Sequence, residues 1–230
     1  MYHVKEAFYT LQGEGGQAGR ASVFCRFSGC NLWSGREQDR ASAACTFCDT
    51  DFLGTDGQNG GRFATAEALA AHLTALWPDQ DGSSVKGATP YVVFTGGEPL
   101  LQLDEALIQA MQARGFEVAV ETNGTLPAPP GIDWLCVSPK GASALTITAG
   151  NELKLVYPQP EAPPERFARL DFDHFFLQPM DTGASGRRTR PADDAIAATT
   201  TDTMAASVAY CLAHPGWRLS LQTHKITGID

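Results

Sequence analysis

The stretch Tyr91-Val92-Val93-Phe94-Thr95-Gly96-Gly97-Glu98-Pro99 predicts a buried strand that ends in a double-glycine turn. Its first residues are β-branched or aromatic and apolar on both faces, which is typical of a strand in a covered parallel sheet. Further runs of this kind cover 22–27, 116–121, 134–138, 152–157, 175–178 and 217–222. Helical patterns at 65–77, 104–114 and 205–213 alternate with some of these runs. The alternation predicts an α/β fold with a parallel sheet, as a barrel or partial barrel.

Local signals also define the ends of two predicted helices and two irregular segments. Thr65 and Asp104 stand where a side chain can cap the first turn of a helix. The proline-rich stretch 158–164 predicts a loop that leads to a short helix. The segment 182–203 is rich in Ala, Thr, Gly and Arg, and we expect part of it to be mobile.

The composition is that of an ordinary globular protein. The chain has 230 residues, of which 43% are hydrophobic, and this is enough to form a core as one domain. It contains no apolar run of the roughly 18 residues that a membrane span needs, and its N-terminus lacks the layout of a signal peptide. We therefore expect a single domain over 1–230 in the cytoplasm, where clustered cysteines bind metal more often than they form disulfides.

The charge balance argues against a nucleic-acid partner. The net charge is −9, from 26 acidic and 17 basic residues. Proteins that bind phosphate backbones use Lys and Arg to neutralise the phosphates. The acidic balance is instead typical of a well-solvated surface.

Three cysteines form the clearest chemical pattern of the chain. Cys45 and Cys48 are separated by two residues, and Cys30 precedes Cys45 by a fourteen-residue excursion, 31–44. Three thiolates can hold three irons of a four-iron cluster and leave the fourth iron open for a ligand. A structural zinc ion would need a fourth ligand such as His72, and inert buried thiols are the third alternative. The remaining cysteines, Cys25, Cys136 and Cys211, are expected in the core.

Together, several short motifs resemble the radical S-adenosylmethionine (SAM) superfamily. The cysteine set, the turn 95–99 and Glu121-Thr122-Asn123-Gly124 carry this resemblance. Three further segments narrow it to the family of 7-carboxy-7-deazaguanine synthases, namely Leu11-Gln12-Gly13-Glu14-Gly15, Ser138-Pro139-Lys140 and Gln222-Thr223-His224-Lys225. The cysteine spacing departs from the superfamily's common pattern, because fourteen residues stand where three are usual. The segment 31–44 is therefore interpreted as an insertion in the cluster loop.

The resemblance implies a modified, incomplete radical SAM (TIM-like) barrel with a 4Fe-4S cluster, SAM and Mg²⁺ as cofactors. It implies a carbon–nitrogen lyase that converts the pterin 6-carboxy-5,6,7,8-tetrahydropterin into 7-carboxy-7-deazaguanine, with radical ring contraction and release of ammonia, in queuosine biosynthesis. It also implies a homodimer and an external electron donor such as a flavodoxin. A radical SAM activase for a glycyl-radical enzyme and a non-catalytic zinc-binding module are the alternatives.

The resemblance also assigns residues to the cofactors and the substrate. The predicted cluster ligands are Cys30, Cys45 and Cys48, and the predicted Mg²⁺ contact is Thr50. The predicted SAM contacts are Phe47, Cys48, Asp49, Gly96, Gly97, Glu121, Ser138, Pro139, Lys140, Gln178, Pro179, Met180 and Asp181. The predicted substrate contacts are Leu11, Gln12, Gly13, Glu14, Arg26, Thr95, His224 and Asp230, with Lys225 as a further candidate.

The residues alone leave several of these roles open. Arg26 lies within a strand, where a charged group needs a partner. That partner is either a substrate carboxylate, which a guanidinium binds in bidentate form, or an Asp or Glu of the chain. Without the resemblance, Gln12 and Glu14 would belong to an ordinary polar loop, and Lys140 could equally be a solvated surface residue.

Overall fold

The structure, a computed structural model, describes residues 1–78, 89–181 and 202–229. Nine strands and four α-helices make up its regular elements. The strands are β1 (Tyr2–Leu11), β2 (Ala21–Phe27), β3 (Gly61–Phe63), β4 (Tyr91–Gly96), β5 (Glu117–Thr122), β6 (Trp134–Val137), β7 (Ala149–Tyr157), β8 (Asp171–Pro179) and β9 (Trp217–Leu219). The helices are α1 (Ala66–Thr74), α2 (Glu105–Gln112), α3 (Thr203–Ala213) and α4 (Thr223–Thr227).

All nine strands belong to one sheet, in the order β3-β1-β2-β4-β5-β6-β7-β8-β9. From β2 to β9 every neighbouring pair is parallel, whereas β1 is antiparallel to both β2 and β3. The predicted parallel α/β sheet is therefore confirmed. The sheet stays open, with β3 at one edge and β9 at the other. Within the described residues, no helix has the length and apolar character that crossing a bilayer requires.

The sequence prediction missed β1 and β3. The register of β1 shifts between Val4 and Glu6, where a β-bulge adds a residue. A bulge breaks the alternation of apolar and polar residues on which strand prediction depends. The predicted strand 217–222 is also too long, because β9 ends at Leu219. The chain then turns, and the backbone N–H of Thr223 donates to the carbonyl of Gly13 at 3.0 Å.

The helices begin where the capping residues predict. The side chain of Thr65 accepts a hydrogen bond from the N–H of Ala68, and that of Asp104 accepts one from the N–H of Leu107. Of the segment expected to be mobile, 182–201 lie outside the described residues, and α3 begins directly after them, capped by Asp202. The predicted short helix after the proline-rich loop is a single 3₁₀ turn at Pro164–Arg166.

Helices α1, α2 and α3 cover one face of the sheet. Alternate residues of the parallel strands point to that face and pack against α1 and α2, or against α3. Cys25 and Cys136 are buried, as predicted. Cys211 is half-buried in α3, beside the strand residues that pack against that helix. The opposite face carries a small apolar patch of Tyr91, Val93 and Ala119. Toward the carboxyl ends of the strands this uncovered face becomes polar, and the cavity described below opens there.

We predict that Asp104 stabilises both α2 and the first strand. Its carboxylate caps the helix and also accepts the hydroxyl of Tyr2, at 2.7 and 2.9 Å from its two oxygens. The substitution Asp104→Ala should therefore lower the free energy of unfolding by about 1–2 kcal/mol, as measured by urea denaturation. The loss should be smaller in a Tyr2→Phe background, where no hydroxyl is left unpaired. Equal losses in the two backgrounds would contradict the coupling.

Candidate active site

One cavity of about 430 Å³ opens at the carboxyl ends of the parallel strands. This size suits a small-molecule ligand, and the carboxyl-terminal edge of such a sheet is where α/β barrels build their active sites. Successive side chains of a strand point to opposite faces of the sheet. A strand residue that lines the cavity is therefore next in sequence to residues that lie in the core. In β2, for example, Phe24 and Arg26 face the cavity, whereas Cys25 and Phe27 lie in the core.

The double-glycine turn lies directly against the chain that leads to the first cysteine. A Cβ atom on Gly96 would stand 2.4 Å from the carbonyl oxygen of Phe27, and one on Gly97 would stand 2.1 Å from that of Gly29. Gly96 also has a φ of +148°, a backbone conformation that residues with side chains rarely adopt. The N–H of Glu98 donates to the Gly29 carbonyl at 2.9 Å. Both glycines are thus required by close backbone contact, and both also line the cavity.

The three cysteines are free thiols placed around this turn. Cys45 and Cys48 line the cavity, while Cys30 lies behind Gly97, where an added Cβ atom would stand 2.8 Å from the Cβ of Cys30. The N–H of Leu32 donates to the sulfur of Cys30 at 3.4 Å. A hydrogen bond from the Cys45 thiol lowers the pKa of Cys48 to about 6, with burial opposing it. The hydrogen bond to Cys48 and burial raise the pKa of Cys45, and burial raises that of Cys30. In the free protein, therefore, only Cys48 has thiolate character at the cavity wall.

The excursion 31–44 is mostly irregular and contains one 3₁₀ helix, Glu37–Ser42. Trp33 fixes it to the domain, because its ring is buried edge-on against Phe52, with ring centres 5.5 Å apart. The guanidinium of Arg40 lies over Trp33 and donates to the carbonyls of Thr46 and Cys48, each at 3.0 Å. These contacts hold the excursion against the cysteine pair.

Glu98 joins the ends of β4 and β5. Its buried carboxylate accepts hydrogen bonds from the Thr122 hydroxyl at 2.6 Å, the Asn123 N–H at 2.8 Å and the Leu100 N–H at 3.0 Å. Burial raises the pKa of Glu98 despite these bonds. The residue does not line the cavity in the described structure; its carboxylate instead fixes the geometry of the two strand ends that do.

A buried ion-pair network forms one wall of the cavity. The ammonium of Lys154, on β7, lies 2.5 Å from a carboxylate oxygen of Glu14 and 3.2 Å from one of Glu121. The Gln12 amide donates to Glu121 at 2.9 Å. Burial would raise the pKa of Glu14, but the attraction of Lys154 and hydrogen bonds from Lys154 and Gln222 outweigh it and lower that pKa to about 2. Glu14 is therefore an ionised acceptor at neutral pH.

The Arg26 guanidinium has an internal partner and also faces the cavity. Its Nε donates to Glu6 at 2.8 Å, which is the intramolecular pair that the sequence left open. No other hydrogen bond of this guanidinium is formed within the described part of the chain, so both terminal nitrogens are available to an anion.

The first and last motifs of the chain meet at the cavity. The carbonyl of Gly13 accepts bonds from the N–H and the hydroxyl of Thr223, and His224 lies so close to Gly13 that a Cβ there would stand 2.6 Å from its Nδ1. The Lys225 ammonium bridges Asp49 at 2.8 Å and Asp181 at 2.5 Å. These contacts bring α4 beside the cysteine loop and the end of β8.

Most residues that the sequence analysis assigned to ligands line this one cavity. Those that line it are Leu11, Gln12, Gly13, Glu14, Arg26, Cys45, Phe47, Cys48, Asp49, Thr50, Thr95, Gly96, Gly97, Glu121, Ser138, Lys140, Gln178, Pro179, Met180, Asp181, His224 and Lys225. Cys30 and Pro139 do not line it, and the Pro139 carbonyl instead accepts a bond from the Gln159 amide. Asp230 lies outside the described residues.

Glu6 and Lys154 were not among the predicted site residues. Lys154 is the largest omission, since it is only 3% exposed yet charged. A signal was present, because Glu152 and Lys154 alternate with Leu153 and Leu155 on one strand. Such alternation indicates a strand with one polar face. Glu6 was hidden by the unrecognised strand β1.

Comparison with known proteins gives full-length relatives, although no protein-family model matches the chain. A 7-carboxy-7-deazaguanine synthase from Bordetella pertussis is 63% identical over 228 residues, covering 99% of each chain. One from Caulobacter vibrioides is 62% identical over 228 residues with the same coverage. The chain belongs to the 7-carboxy-7-deazaguanine synthase family. Even the member from Synechocystis sp., at 30% identity, matches 99% of this chain and 93% of its own length.

A solved structure supports the same family. The crystal structure of QueE from Escherichia coli superposes with a TM-score of 0.64 at 25% identity, covering 96% of this chain and 93% of that chain. The resemblance drawn from the motifs is thus confirmed. The open, mostly parallel sheet is a modified, incomplete radical SAM barrel.

Enzymes of this family use a 4Fe-4S cluster and SAM, and the residues of this chain fit that pair. A four-iron cluster spreads its thiolates over separate irons. The described residues contain no group of three or more His, Cys, Asp or Glu side chains arranged to hold one metal ion. His72, the histidine weighed as a zinc ligand, instead bonds to the Asn59 carbonyl and packs on Phe63.

We predict that Glu98 is required as a carboxylate. In Glu98→Gln an amide N–H₂ group must face at least one of the buried donors around it, so the free energy of unfolding should fall by about 1–3 kcal/mol. Urea denaturation of the cofactor-free protein measures this loss. The matched control is Glu105→Gln on the exposed surface of α2, which should change it by less than about 0.5 kcal/mol. Similar small effects at both sites would show that the three bonds of Glu98 contribute little.

Proposed function

We propose that the chain catalyses the radical-mediated ring contraction of 6-carboxy-5,6,7,8-tetrahydropterin to 7-carboxy-7-deazaguanine, with release of ammonia, in queuosine biosynthesis. One observation carries this proposal. A single cavity joins the cysteine pair and the glycine turn on one side to a guanidinium and two carboxylates on the other. The cavity can thus hold a redox cofactor beside an anionic, N–H-rich heterocycle.

In this proposal Cys30, Cys45 and Cys48 hold the cluster. When bound, the cluster and SAM would together supply the radical chemistry that activates a carbon–hydrogen bond of the substrate. We propose that SAM binds at the rim of the cavity, where β4, β6 and β8 end. Gly96 and Gly97 line the cavity there without side chains, and Lys140 supplies a positive charge. The Lys140 ammonium lies 2.6 Å from the Ser138 hydroxyl and over the Phe47 ring.

The substrate carboxylate is proposed to bind Arg26. Because Glu6 already accepts from Nε, the two terminal nitrogens remain, and a carboxylate can accept from both in a bidentate pair. The stacked rings of Phe8 and Phe24, with centres 5.8 Å apart, line the same part of the cavity and offer an apolar surface to a planar ring. His224 and Thr95 also line the cavity and are proposed as further substrate contacts.

The aminopyrimidinone edge of the pterin is proposed to face Glu14. This edge carries adjacent N–H donors, and an ionised carboxylate is an acceptor only. The low pKa of Glu14 keeps it in that form at neutral pH. Gln12 lies beside it and donates to Glu121, so its amide is held in place.

The remaining parts of the proposal follow from the family and the composition. Thr50 lines the cavity beside the cysteine pair and is proposed to contact Mg²⁺ through its hydroxyl oxygen. We also propose that the protein is a homodimer and receives electrons from an external donor such as a flavodoxin. The proposed location is the cytoplasm, where thiols stay reduced.

An oxygen-free assay tests the proposed reaction. Reconstituted protein with SAM, Mg²⁺, a reductant and the carboxypterin should produce 7-carboxy-7-deazaguanine without any partner protein. The absorbance of the product measures the reaction. The control Cys45→Ala should show no turnover. Zinc in place of iron after anaerobic reconstitution, or turnover only in the presence of a second protein that acquires a glycyl radical, would overturn the proposal.

A second prediction concerns the glycine turn. In Gly97→Ala the new methyl group meets the Gly29 carbonyl and must displace the chain before Cys30. We expect reconstituted iron and sulfide to fall by at least about half, because cluster assembly needs all three thiolates in place. Gly216→Ala is the matched control, since a Cβ there has no atom within 4 Å. Full cluster content in both variants would show that the contact does not position Cys30.

A further inference from the structure

Lys154 is a buried charged residue on the polar face of a strand. It lies in the middle of β7, between the core residues Leu153 and Leu155, and is 3% exposed. Burial of an unpaired ammonium is costly, and removal of one partner of a buried pair is strongly destabilising. Its two contacts with Glu14 and Glu121 are therefore essential to its position, and all three residues line the cavity or its wall.

The charged and titratable groups around this ammonium come from five elements. Four act on it directly, namely Glu14 after β1, Glu121 on β5, Cys136 on β6 and Glu152 on β7 itself. The fifth, His224 on α4, faces Glu14 rather than the ammonium. Glu152 accepts the N–H of Gly16 at 2.8 Å and the thiol of Cys136 at 3.5 Å. Burial raises the pKa of both Glu152 and Cys136. One ammonium thus lies between two carboxylates, Glu14 and Glu121, at the cavity wall.

Both carboxylates keep acceptor capacity for a ligand. Glu14 accepts from Lys154 and from the amides of Gln178 and Gln222, and Glu121 accepts from Lys154 and Gln12. An ionised carboxylate offers about four lone-pair sites. The ammonium therefore holds two carboxylates in place, and each keeps at least one lone pair that can accept a hydrogen bond from a ligand.

We propose that Lys154 is a positioning residue that fixes the carboxylates of Glu14 and Glu121 as adjacent acceptors for the N–H edge of the substrate. This inference rests on the proposed function and adds a residue that determines how the heterocycle is recognised. Without the ammonium, the two buried carboxylates would have no positive charge between them. Two like charges that share a buried site raise the pKa of one of the two groups. A protonated carboxyl would present a hydrogen to the N–H donors of the ligand and repel that edge.

The inference predicts how binding depends on pH. In the native chain the pKa of Glu14 is about 2, so its charge does not change between pH 6 and 8.5. In Lys154→Met, burial and the neighbouring Glu121 raise the pKa of the pair, and the acceptor form is lost as the pH falls through that raised value. Below it, affinity should fall by about tenfold for each pH unit.

The experiment measures the dissociation constant of 6-carboxypterin, a stable oxidised analogue, by quenching of its fluorescence in anaerobically reconstituted protein. Dividing each variant's constant by that of the native chain at the same pH removes the titration of the probe itself. For Lys154→Met the ratio should rise by at least about tenfold from pH 8.5 to pH 6. For Lys154→Arg, which keeps the charge, the ratio should change by less than about threefold over the same pH range. The control Arg114→Met removes a cation that pairs with Glu67 away from the cavity and should leave the ratio near one.

The double variant Lys154→Met/Glu121→Gln separates charge from packing. It removes the repulsion that the single variant creates, so its ratio should change less with pH than that of Lys154→Met. If Lys154→Met does not fold, as judged by circular dichroism, the double variant should still fold. Failure of both to fold, or a ratio for Lys154→Met that does not change with pH, would overturn the role of Lys154. Failure of the native chain to bind 6-carboxypterin would instead overturn the proposed substrate.

Discussion

The backbone contact between the double-glycine turn and the chain before Cys30 is the constraint that organises this molecule. Gly96 and Gly97 lie so close to the carbonyls of Phe27 and Gly29 that neither position has room for a side chain. The contact joins the ends of β2 and β4, which are adjacent parallel strands. Glu98 extends the same junction to β5 through Thr122 and Asn123. Three strand ends are thereby fixed relative to the cysteine loop.

The uncovered face of the sheet shows how one strand can serve both the core and the site. Odd and even residues of β2, β5 and β7 point to opposite faces. One set packs under the helices, and the other places Arg26, Glu121 and Lys154 in the cavity. Arg26 and Lys154 on this face are each paired with a carboxylate, as buried charges need to be. The pairs Arg26–Glu6 and Lys154–Glu14 each combine a residue of a parallel strand with one from the N-terminal strand β1 or the loop that follows it.

The two ends of the chain complete the cavity. The loop after β1 contacts the start of α4 through Gly13 and Thr223, and the N–H of Gly15 donates to the Ser220 hydroxyl before that helix at 2.9 Å. Lys225 then bridges Asp49 of the cysteine loop and Asp181 after β8. Motifs that are more than 200 residues apart in sequence thus form one wall. Such contacts explain why the family match extends over nearly the whole chain rather than over the cysteine segment alone.

The sequence by itself determined the strand–helix alternation, the caps at Thr65 and Asp104, and the motifs that identify the family, because these depend on local spacing and residue type. It did not reveal β1, whose bulge breaks the alternation, nor the partner of Arg26, nor the role of Lys154. Only the tertiary structure decided these, because an ion pair between distant residues leaves no local pattern. Which carboxylates face a buried ammonium depends on how strands pair and register, and that is set by the packing of the whole sheet.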